Sequence, residues 1–246
     1  MISELTLIPH RWPGPPVFAR LIERPNKFLL ICRLDGSSLV VEAHVPDRGR
    51  CLDLLLAGQP LVLIAAEGPL RKTKFTAVLA EAKSAPGVWV CLDPAGAPRL
   101  VKRALESGLI APLAGWTVVG QEVAVRRSGV TSRIDLLLQR NEEQLLCEVK
   151  SVGAALNHLA LFPDAPTERG TRHLSVLAAR ARKGERSAVV LCAQRGDVTA
   201  IAADEEIDPA FAKALQRARR AGVIVAGLAA EALPEGMRLI GEVKVY

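Results

Sequence analysis

Short hydrophobic runs separated by turn residues fill the chain from about residue 17 to residue 92. Aliphatic and β-branched residues dominate these runs, and their length and spacing are typical of the strands of a small barrel. The predicted strands are Val17–Ile22, Phe28–Leu34, Leu39–Val45, Pro60–Ala65, Thr73–Ala80 and Val88–Leu92. The leucine-rich segment Cys51–Leu56 between them is predicted to form one short helix.

The pattern changes after Asp93–Pro98, a proline- and glycine-containing segment that is a candidate domain boundary. Apolar runs then alternate with amphipathic stretches of helical period, which favours a mixed α+β or α/β domain whose strand order the sequence leaves open. The predicted helices are Leu100–Ser107, Thr167–Arg182, with Asp164 as its cap, and Pro209–Ala221. The predicted strands are Trp116–Val125, Ala188–Ala193, Val198–Ala202 and Val223–Ala226.

Two more predicted strands, Ser132–Leu138 and Leu145–Ser151, are joined by a polar, turn-prone segment and are expected to form a hairpin. An antiparallel ladder centred on that turn places Asp135 across from Glu148. Because side chains alternate along a strand, Glu148 and Lys150 share a face. The hairpin is therefore predicted to bring two carboxylates and one amine together.

This grouping has a chemical interpretation. Adjacent carboxylates repel, and a proton or a cation relieves the repulsion. Hard oxygen ligands without nearby His or Cys suit Mg²⁺ or Mn²⁺, and a lysine beside such an ion can orient or deprotonate a water for attack on a phosphate. The order Asp, then Glu-x-Lys, resembles the PD-(D/E)xK nuclease superfamily. The alternatives are an ion pair between Asp135 and Arg133, and a Lys150 that only neutralises the acids.

Composition and charge indicate the class of partner and the cellular compartment. Half of the 246 residues are hydrophobic, so a sizeable core can form, and the net charge of +6 fits a polyanionic partner such as nucleic acid. No apolar run has the roughly 18–20 residues of a membrane span, and Met1–His10 lacks the pattern of a signal peptide. The five dispersed cysteines show no metal-site spacing and indicate a reducing, cytoplasmic setting.

A long string, Phe-Pro-Asp-Ala-Pro-Thr-Glu-Arg-Gly-Thr-Arg-His-Leu at residues 162–174, carries a family resemblance together with Ser132–Asp135 and Glu148–Val152. At these motifs, and at Arg24–Phe28 and Arg71–Thr73, the chain resembles the sugar fermentation stimulation protein A (SfsA) family. The resemblance covers nearly the whole chain. It implies an OB-fold-like β-barrel domain, assigned to residues 1–84, followed by a PD-(D/E)xK nuclease-like domain, assigned to residues 85–246.

The resemblance also implies binding of DNA without marked sequence preference and a link to sugar metabolism. A metal-dependent nuclease then has Asp135 and Glu148 as ligands of Mg²⁺ or Mn²⁺, helped by the Val149 carbonyl, with Lys150 orienting the attacking water. Glu122, on the preceding strand, is either a further ligand or a surface acid. The other candidate contacts are Arg169 and His173 for phosphate oxygens, and Arg24, Lys27, Phe28, Arg172, Lys213, Arg217 and Arg220 for nucleic acid.

Alternatives stay open for several of these residues. Phe28 is either a base-stacking ring or a core residue, and the basic stripe on Pro209–Ala221 is either a DNA contact or solvated charge. The chain departs from the family pattern in having Asp47-Arg48 where Asn-Thr is usual, Ser128–Thr131 where Tyr-Gly is usual, and Pro98-Arg99 before Leu100. The alternative function is a non-catalytic DNA-binding regulator, and a sugar-responsive protein ranks last. The oligomeric state is open.

Overall fold

The computed structural model describes residues 10–68, 71–127 and 129–246. These residues form two compact units. One unit contains the described residues up to Pro94 with residues 194–197 and 230–240, and the other contains the described residues of 95–193, 198–229 and 241–246. Residues 1–9 and Ser128 lie outside the described residues. Residues 1–9 make up most of the segment Met1–His10, on which the expectation about a signal peptide rests.

The described residues contain sixteen strands and three α-helices. The strands before the first helix are β1 (His10–Arg11), β2 (Pro16–Asn26), β3 (Leu29–Leu34), β4 (Val40–His44), β5 (Pro60–Ala65), β6 (Phe75–Glu81) and β7 (Trp89–Cys91). The later strands are β8 (Thr117–Arg127), β9 (Val130–Arg140), β10 (Glu143–Val152), β11 (Ala154–Leu156), β12 (Leu159–Phe162), β13 (Arg186–Ala193), β14 (Ala200–Ala203), β15 (Ile224–Leu233) and β16 (Gly236–Val245). The helices are α1 (Ala97–Glu106), α2 (Glu168–Ala181) and α3 (Pro209–Arg220).

The first unit contains the predicted small barrel. Its sheet runs in the order β4-β3-β2-β5-β6-β7, and a parallel pairing of β4 with β6 closes strands β2 to β6 on themselves. Alternate residues such as Leu30, Cys32, Leu61 and Leu63 point into a common core with no exposed area. Closure leaves these five strands few free edges, which explains why such short strands form a stable unit.

Strand β7 belongs to this unit, because Trp89 and Cys91 pair with Glu81 and Leu79 of β6. The first unit therefore extends to Pro94 rather than ending at residue 84. The candidate boundary Asp93–Pro98, read from composition, lies at this junction.

The predicted helix over Cys51–Leu56 is wrong. The segment forms a single turn in which the amides of Leu54 and Leu55 both donate to the Cys51 carbonyl, each at 3.0 Å. Cys51 has a φ of 50°, in the left-handed region, so it cannot be a residue of a right-handed helix. Leu52 is 71% exposed, so the leucine count overstated how much of the segment is buried.

The second unit is a mixed α/β domain, as predicted. Strands β8, β9 and β10 are antiparallel neighbours, and β13 and then β15 continue the sheet in parallel with β10. Helices α2 and α3 pack over a core that includes Leu146, Val189, Leu191, Leu177 and Phe211. The predictions missed β11, β12 and β16, and they ended β15 too early.

The amino ends of α2 and α3 are tied together. Thr167, rather than the predicted Asp164, is the N-cap of α2 and accepts from the Gly170 amide at 3.1 Å. Asp208 caps α3 by accepting from the Phe211 amide at 2.9 Å, and its second oxygen accepts from the Thr167 amide at 2.7 Å. One buried carboxylate therefore fixes where both helices begin, and with them the side chains that α2 presents to the sheet.

Candidate metal centre

The β9–β10 hairpin has the predicted register. Five facing pairs run from Arg140 with Glu143 to Leu136 with Cys147, and the next step along both strands brings Asp135 opposite Glu148. Leu137 and Leu146 are facing partners two residues closer to the turn, and both contact the core under α2. Alternation therefore puts the two acids on the face of the sheet that α2 covers.

Glu148 is the most buried acid of this group. Its side chain is only 3% exposed, and its Oε1 accepts from Lys150 Nζ and from His173 Nδ1, the latter at 2.5 Å. Its Oε2 is buried and makes no hydrogen bond. A buried carboxylate oxygen without a partner is costly, so Oε2 is the atom of this site that most needs a ligand.

Asp135 lies beside this group and is half-buried. Its Oδ2 accepts from the Val149 amide at 2.7 Å. The regular ladder between the two strands stops at Leu136 and Cys147, so the Asp135 side chain takes over a main-chain donor of β10 at the point where main-chain pairing ends.

The pKa values of the two acids are shifted in opposite directions. Burial and the negative charge of Glu148 raise the pKa of Asp135 from 3.8 to about 6. Burial alone would raise the pKa of Glu148 too, but the hydrogen bond from His173 and the charge of Lys150 outweigh it and hold that pKa below its ordinary value. Glu148 is therefore the ionised member, and Asp135 ionises against its repulsion.

Val149 contributes its main chain. A strand residue directs its N–H and C=O to the same side, so the Val149 carbonyl points to the side where its amide meets Asp135. Among the residues that the structure describes, no three His, Cys, Asp or Glu side chains form a metal-holding group. The protein donors available to a cation here are thus two carboxylates and one carbonyl, with waters completing an oxygen shell, which is the donor set that Mg²⁺ prefers.

Glu122 continues the row of acids on β8. The β8–β9 register places it across from Asp135, between the pairs Gln121 with Leu136 and Val123 with Ile134. Its carboxylate is 60% exposed and pairs with Arg133 Nη1 at 3.4 Å. Arg133 therefore forms its ion pair with Glu122, and the alternative of an ion pair between Asp135 and Arg133 does not hold.

Helix α2 delivers His173 to the site, but not as predicted from sequence. The His173 side chain is 2% exposed and its Nδ1 contacts Glu148 Oε1 in the interior, so the imidazole cannot reach a phosphate in solvent. Its expected role as a phosphate contact is corrected to a positioning role. Arg169 and Arg172, within one turn of it, are exposed and remain the candidate phosphate contacts of this helix.

The basic stripe on α3 is exposed at Lys213, Arg217 and Arg220. Lys213 and Arg217 also line a groove of about 370 Å³ between α2 and α3, together with Arg182. The stripe thus faces solvent, and its spacing agrees with the helical period expected from the sequence.

The candidate contacts of the barrel divide in two. Phe28 is 38% exposed, so the core alternative does not hold, and Lys27 Nζ lies 5.2 Å from its ring centre. Arg24, by contrast, donates to the carbonyls of Gly49 at 3.1 Å and Arg50 at 3.0 Å, and also to those of Lys27 and Asp47. Arg24 is corrected from a nucleic-acid contact to a residue that fixes the turn at 47–50.

Two residues that make contacts of interest were not among the candidates. Asp208 was not recognised, although Asp directly before a proline at a helix start is a readable capping signal. Arg48 had no such signal, yet its guanidinium lies 5.1 Å from the centre of the Phe28 ring. In the same turn the Asp47 carboxylate accepts from the Gly49 amide at 2.7 Å.

Comparison with known proteins gives the family. The model of the sugar fermentation stimulation protein RE domain matches residues 96–236, and that of the SfsA N-terminal OB domain matches residues 22–92. A sugar fermentation stimulation protein homolog of Chloroflexus aurantiacus is 40% identical over 95% of this chain and 86% of its own length. The homolog of Chloroflexus aggregans is 38% identical over 100% of this chain and 91% of its own length.

A solved structure agrees in fold. SfsA of Pyrococcus furiosus, in complex with Ca²⁺, superposes with a TM-score of 0.84 at 24% identity, covering 96% of this chain and 97% of its own. The barrel is thus an OB domain, and the α/β unit is a restriction-endonuclease-like domain. The chain belongs to the sugar fermentation stimulation protein (SfsA) family.

Proposed function

We propose that the chain is a metal-dependent nuclease of the PD-(D/E)xK type that hydrolyses phosphodiester bonds in DNA without marked sequence preference. The observation that carries the proposal is the buried, unpartnered Oε2 of Glu148 beside Asp135. Buried polar atoms without a partner are few in folded proteins, so a carboxylate oxygen of this kind next to a second acid points to a ligand.

The residues present fit a hard divalent cation. Glu148 Oε2, Asp135 and the Val149 carbonyl would hold Mg²⁺ or Mn²⁺, and oxygen donors of this kind suit both ions. The relative from Pyrococcus furiosus is in complex with Ca²⁺, another cation that prefers oxygen ligands. When bound, such an ion lowers the pKa of a coordinated water and offsets charge on the phosphate.

The protein supplies the remaining functions. Lys150, whose side chain is 12% exposed and ion-paired with Glu148, would orient the attacking water by donating a hydrogen bond to its oxygen. His173 holds Glu148 Oε1, which leaves Oε2 for the cation. Arg169 and Arg172 would bind phosphate oxygens at the amino end of α2, where the helix dipole also favours negative charge.

Sequence-independent binding is proposed for the exposed cations. Lys213, Arg217 and Arg220 on α3, and Lys27 in the OB domain, would contact phosphates, which carry no base identity. Binding of this kind weakens steeply as salt rises, because neutralised phosphates release counterions.

The test is cleavage of plasmid and single-stranded DNA with Mg²⁺ or Mn²⁺, compared with EDTA. We expect cleavage by the wild type with metal, none above background for Asp135→Ala or Glu148→Gln, and full activity for Glu142→Gln, an exposed acid in the hairpin turn. Equal cleavage by Asp135→Ala, or none by the wild type with either ion, would contradict the proposal. Glu122→Gln decides the role left open for Glu122: activity is lost if it is a ligand and kept if it is a surface acid.

A second candidate is a DNA-binding regulator without turnover, favoured by the ion pair between Lys150 Nζ and Glu148, which gives that lysine a structural partner. It predicts no cleavage, and DNA binding that weakens with salt and does not change when metal is added.

For either function we propose a cytoplasmic setting. All five cysteines lie buried in the described part of the chain and none forms a disulfide. No helix of the described residues is long and apolar enough to cross a membrane.

A further inference from the structure

A groove between α2 and α3 has the size of a small-molecule site. Its volume is about 370 Å³, within the roughly 300–1,000 Å³ range of ligand clefts. The small side chains of Ala178, Ala210 and Ala214 line it and leave this space open. The axes of packed helices are about 8–10 Å apart, so a DNA duplex can rest on the rim of such a groove and cannot enter it. An occupant of the groove itself is therefore small.

Three cations that line the groove have no acid partner. Arg182 directly follows α2, and Lys213 and Arg217 are one turn apart on α3. All three are exposed, and within the described part of the chain none of them forms an ion pair with a carboxylate. The described residues of the lining also include no Asp or Glu. The three charges are thus available to an anionic ligand, and an arginine fork matches phosphate oxygens bidentately.

Arginines next to the groove are neutralised, unlike those that line it. Arg180, two residues before Arg182, forms an ion pair with Glu185. Arg186 forms one with Glu143 at 3.1 Å. The lack of acid partners is therefore a local property of the groove and not of every arginine around α2.

A hydroxyl that lines the groove also lacks a partner. Thr171 lies in the first turn of α2, and its Oγ1 is buried and makes no hydrogen bond. The Ser175 hydroxyl, one turn further along, is satisfied, because it donates to the Thr171 carbonyl at 3.0 Å. A buried hydroxyl without a partner is costly and points to a missing ligand group. Rotation about the Thr171 Cα–Cβ bond between staggered positions lets a ligand in the groove recruit this hydroxyl.

We infer that this groove binds a small phosphomonoester, with its phosphate on the three cations and its uncharged end beside Thr171. A phosphomonoester carries about −1.5 to −2 charges at pH 7 and has three acceptor oxygens, which suits three cations. Arg182 lies eleven residues after Thr171, or about 16 Å along a helix, so the ligand is longer than a phosphate ion. The inference goes beyond the proposed function and gives Lys213 and Arg217 a second ligand.

The experiment is calorimetric titration of the full chain in metal-free buffer at fixed ionic strength. The probes are adenosine 5′-monophosphate and glycerol 3-phosphate, each compared with its phosphate-free counterpart, adenosine or glycerol, and with sulfate as a simple dianion. We expect at least one ester to bind at least ~10-fold more tightly than its counterpart and than sulfate. The reason is that one charge-assisted hydrogen bond corresponds to roughly 10- to 150-fold in affinity.

Three variants make the test specific to the groove. Lys213→Ala combined with Arg217→Ala should weaken ester binding by at least ~10-fold. Thr171→Val should weaken it by about 2- to 10-fold, which is the loss of one neutral hydrogen bond, without lowering the thermal stability of the ligand-free chain. Lys183→Ala is the matched control, because it removes an exposed cation next to Arg182 that is not part of the described lining, and it should bind as the wild type does. Thermal unfolding shows whether each variant folds.

The inference fails if neither ester binds more tightly than its phosphate-free counterpart, or if sulfate binds as tightly as the esters. Unchanged ester binding by the folded double variant would overturn it as well, because the ester would then bind elsewhere. If the double variant does not fold, Arg182→Gln must show the loss of binding, or the inference fails. Binding of a 5′-phosphorylated DNA strand over its 5′-hydroxyl form, without binding of either free ester, would assign the groove to DNA ends and overturn the inference. The titrations involve no cleavage, so their outcome is independent of the proposed function.

Discussion

Replacing Asp135 by Asn tests the electrostatics of the paired acids in the absence of metal. Asn cannot ionise, and its side-chain oxygen can still accept from the Val149 amide that Asp135 binds at 2.7 Å. The substitution therefore removes the charge and leaves the hydrogen bond, so its effect on stability reports the repulsion from Glu148 and the cost of burial.

The magnitude follows from the pKa of Asp135, which the folded protein raises from 3.8 to about 6. A raised pKa means that the folded state keeps a proton that the unfolded state releases, so stability falls as pH rises from about 4 to about 6. Above that window the ionised Asp135 costs up to about 3 kcal/mol, since each pKa unit corresponds to about 1.4 kcal/mol. For a chain of this size that is a thermal shift of about 6–12 °C.

The assay is thermal unfolding followed by circular dichroism in EDTA, from pH 4 to pH 8. We expect Asp135→Asn to be more stable than the wild type at pH 8, with the difference disappearing at about pH 4. Added Mg²⁺ should reverse the order, because binding stabilises only the chain that keeps both carboxylates. The exposed Glu142→Gln should follow the wild type throughout. A less stable Asp135→Asn at pH 8, or a difference that does not change with pH, would show that the charge of Asp135 does not destabilise the folded chain.

Three further predictions concern the neighbours of this pair. Lys150→Met should reduce cleavage by about 10²–10⁴-fold and leave Mn²⁺ binding within about tenfold, because the lysine acts on the water; a parallel loss of both would contradict this. His173→Ala should weaken Mn²⁺ binding by about 10–100-fold in calorimetric titrations, and His173→Asn should weaken it less, because its amide can still donate to Glu148. Equal Mn²⁺ binding by the wild type and both variants would rule out the positioning role of His173. Asp208→Ala should lower the free energy of unfolding by about 1–2 kcal/mol in denaturant titrations, because Asp208 caps α3 and also accepts from the Thr167 amide before α2. An unchanged unfolding midpoint would show that these two hydrogen bonds do not contribute to stability.

The sequence was sufficient for the hairpin because its information is local. Alternation on two adjacent strands and the length of one turn fix the register, and the register puts Asp135 opposite Glu148. The barrel strands were predictable for the same reason, since each carries its own apolar run. Cys51–Leu56 failed because a leucine count cannot show a left-handed φ at Cys51.

The contacts that sequence could not provide are those between distant segments. His173 lies 25 residues from Glu148, and helical spacing gives a face of α2 without saying what that face meets. Arg24 looked like a surface cation because its carbonyl partners belong to a turn 23 to 26 residues later. The parallel pairing of β16 with β14 is another contact between distant segments, and no local pattern specifies it. The pairing of β16 with β15 is local, because only Pro234 and Glu235 separate the two strands, and it was missed because β15 was predicted to end at Ala226.

The most direct test of the metal centre is a crystal soaked in Mn²⁺, with anomalous scattering used to locate the ion. We expect a peak within coordination distance of Glu148 Oε2, Asp135 and the Val149 carbonyl in the wild type, and no peak there in Glu148→Gln. A site left empty at saturating Mn²⁺, or a peak that persists in Glu148→Gln, would contradict it.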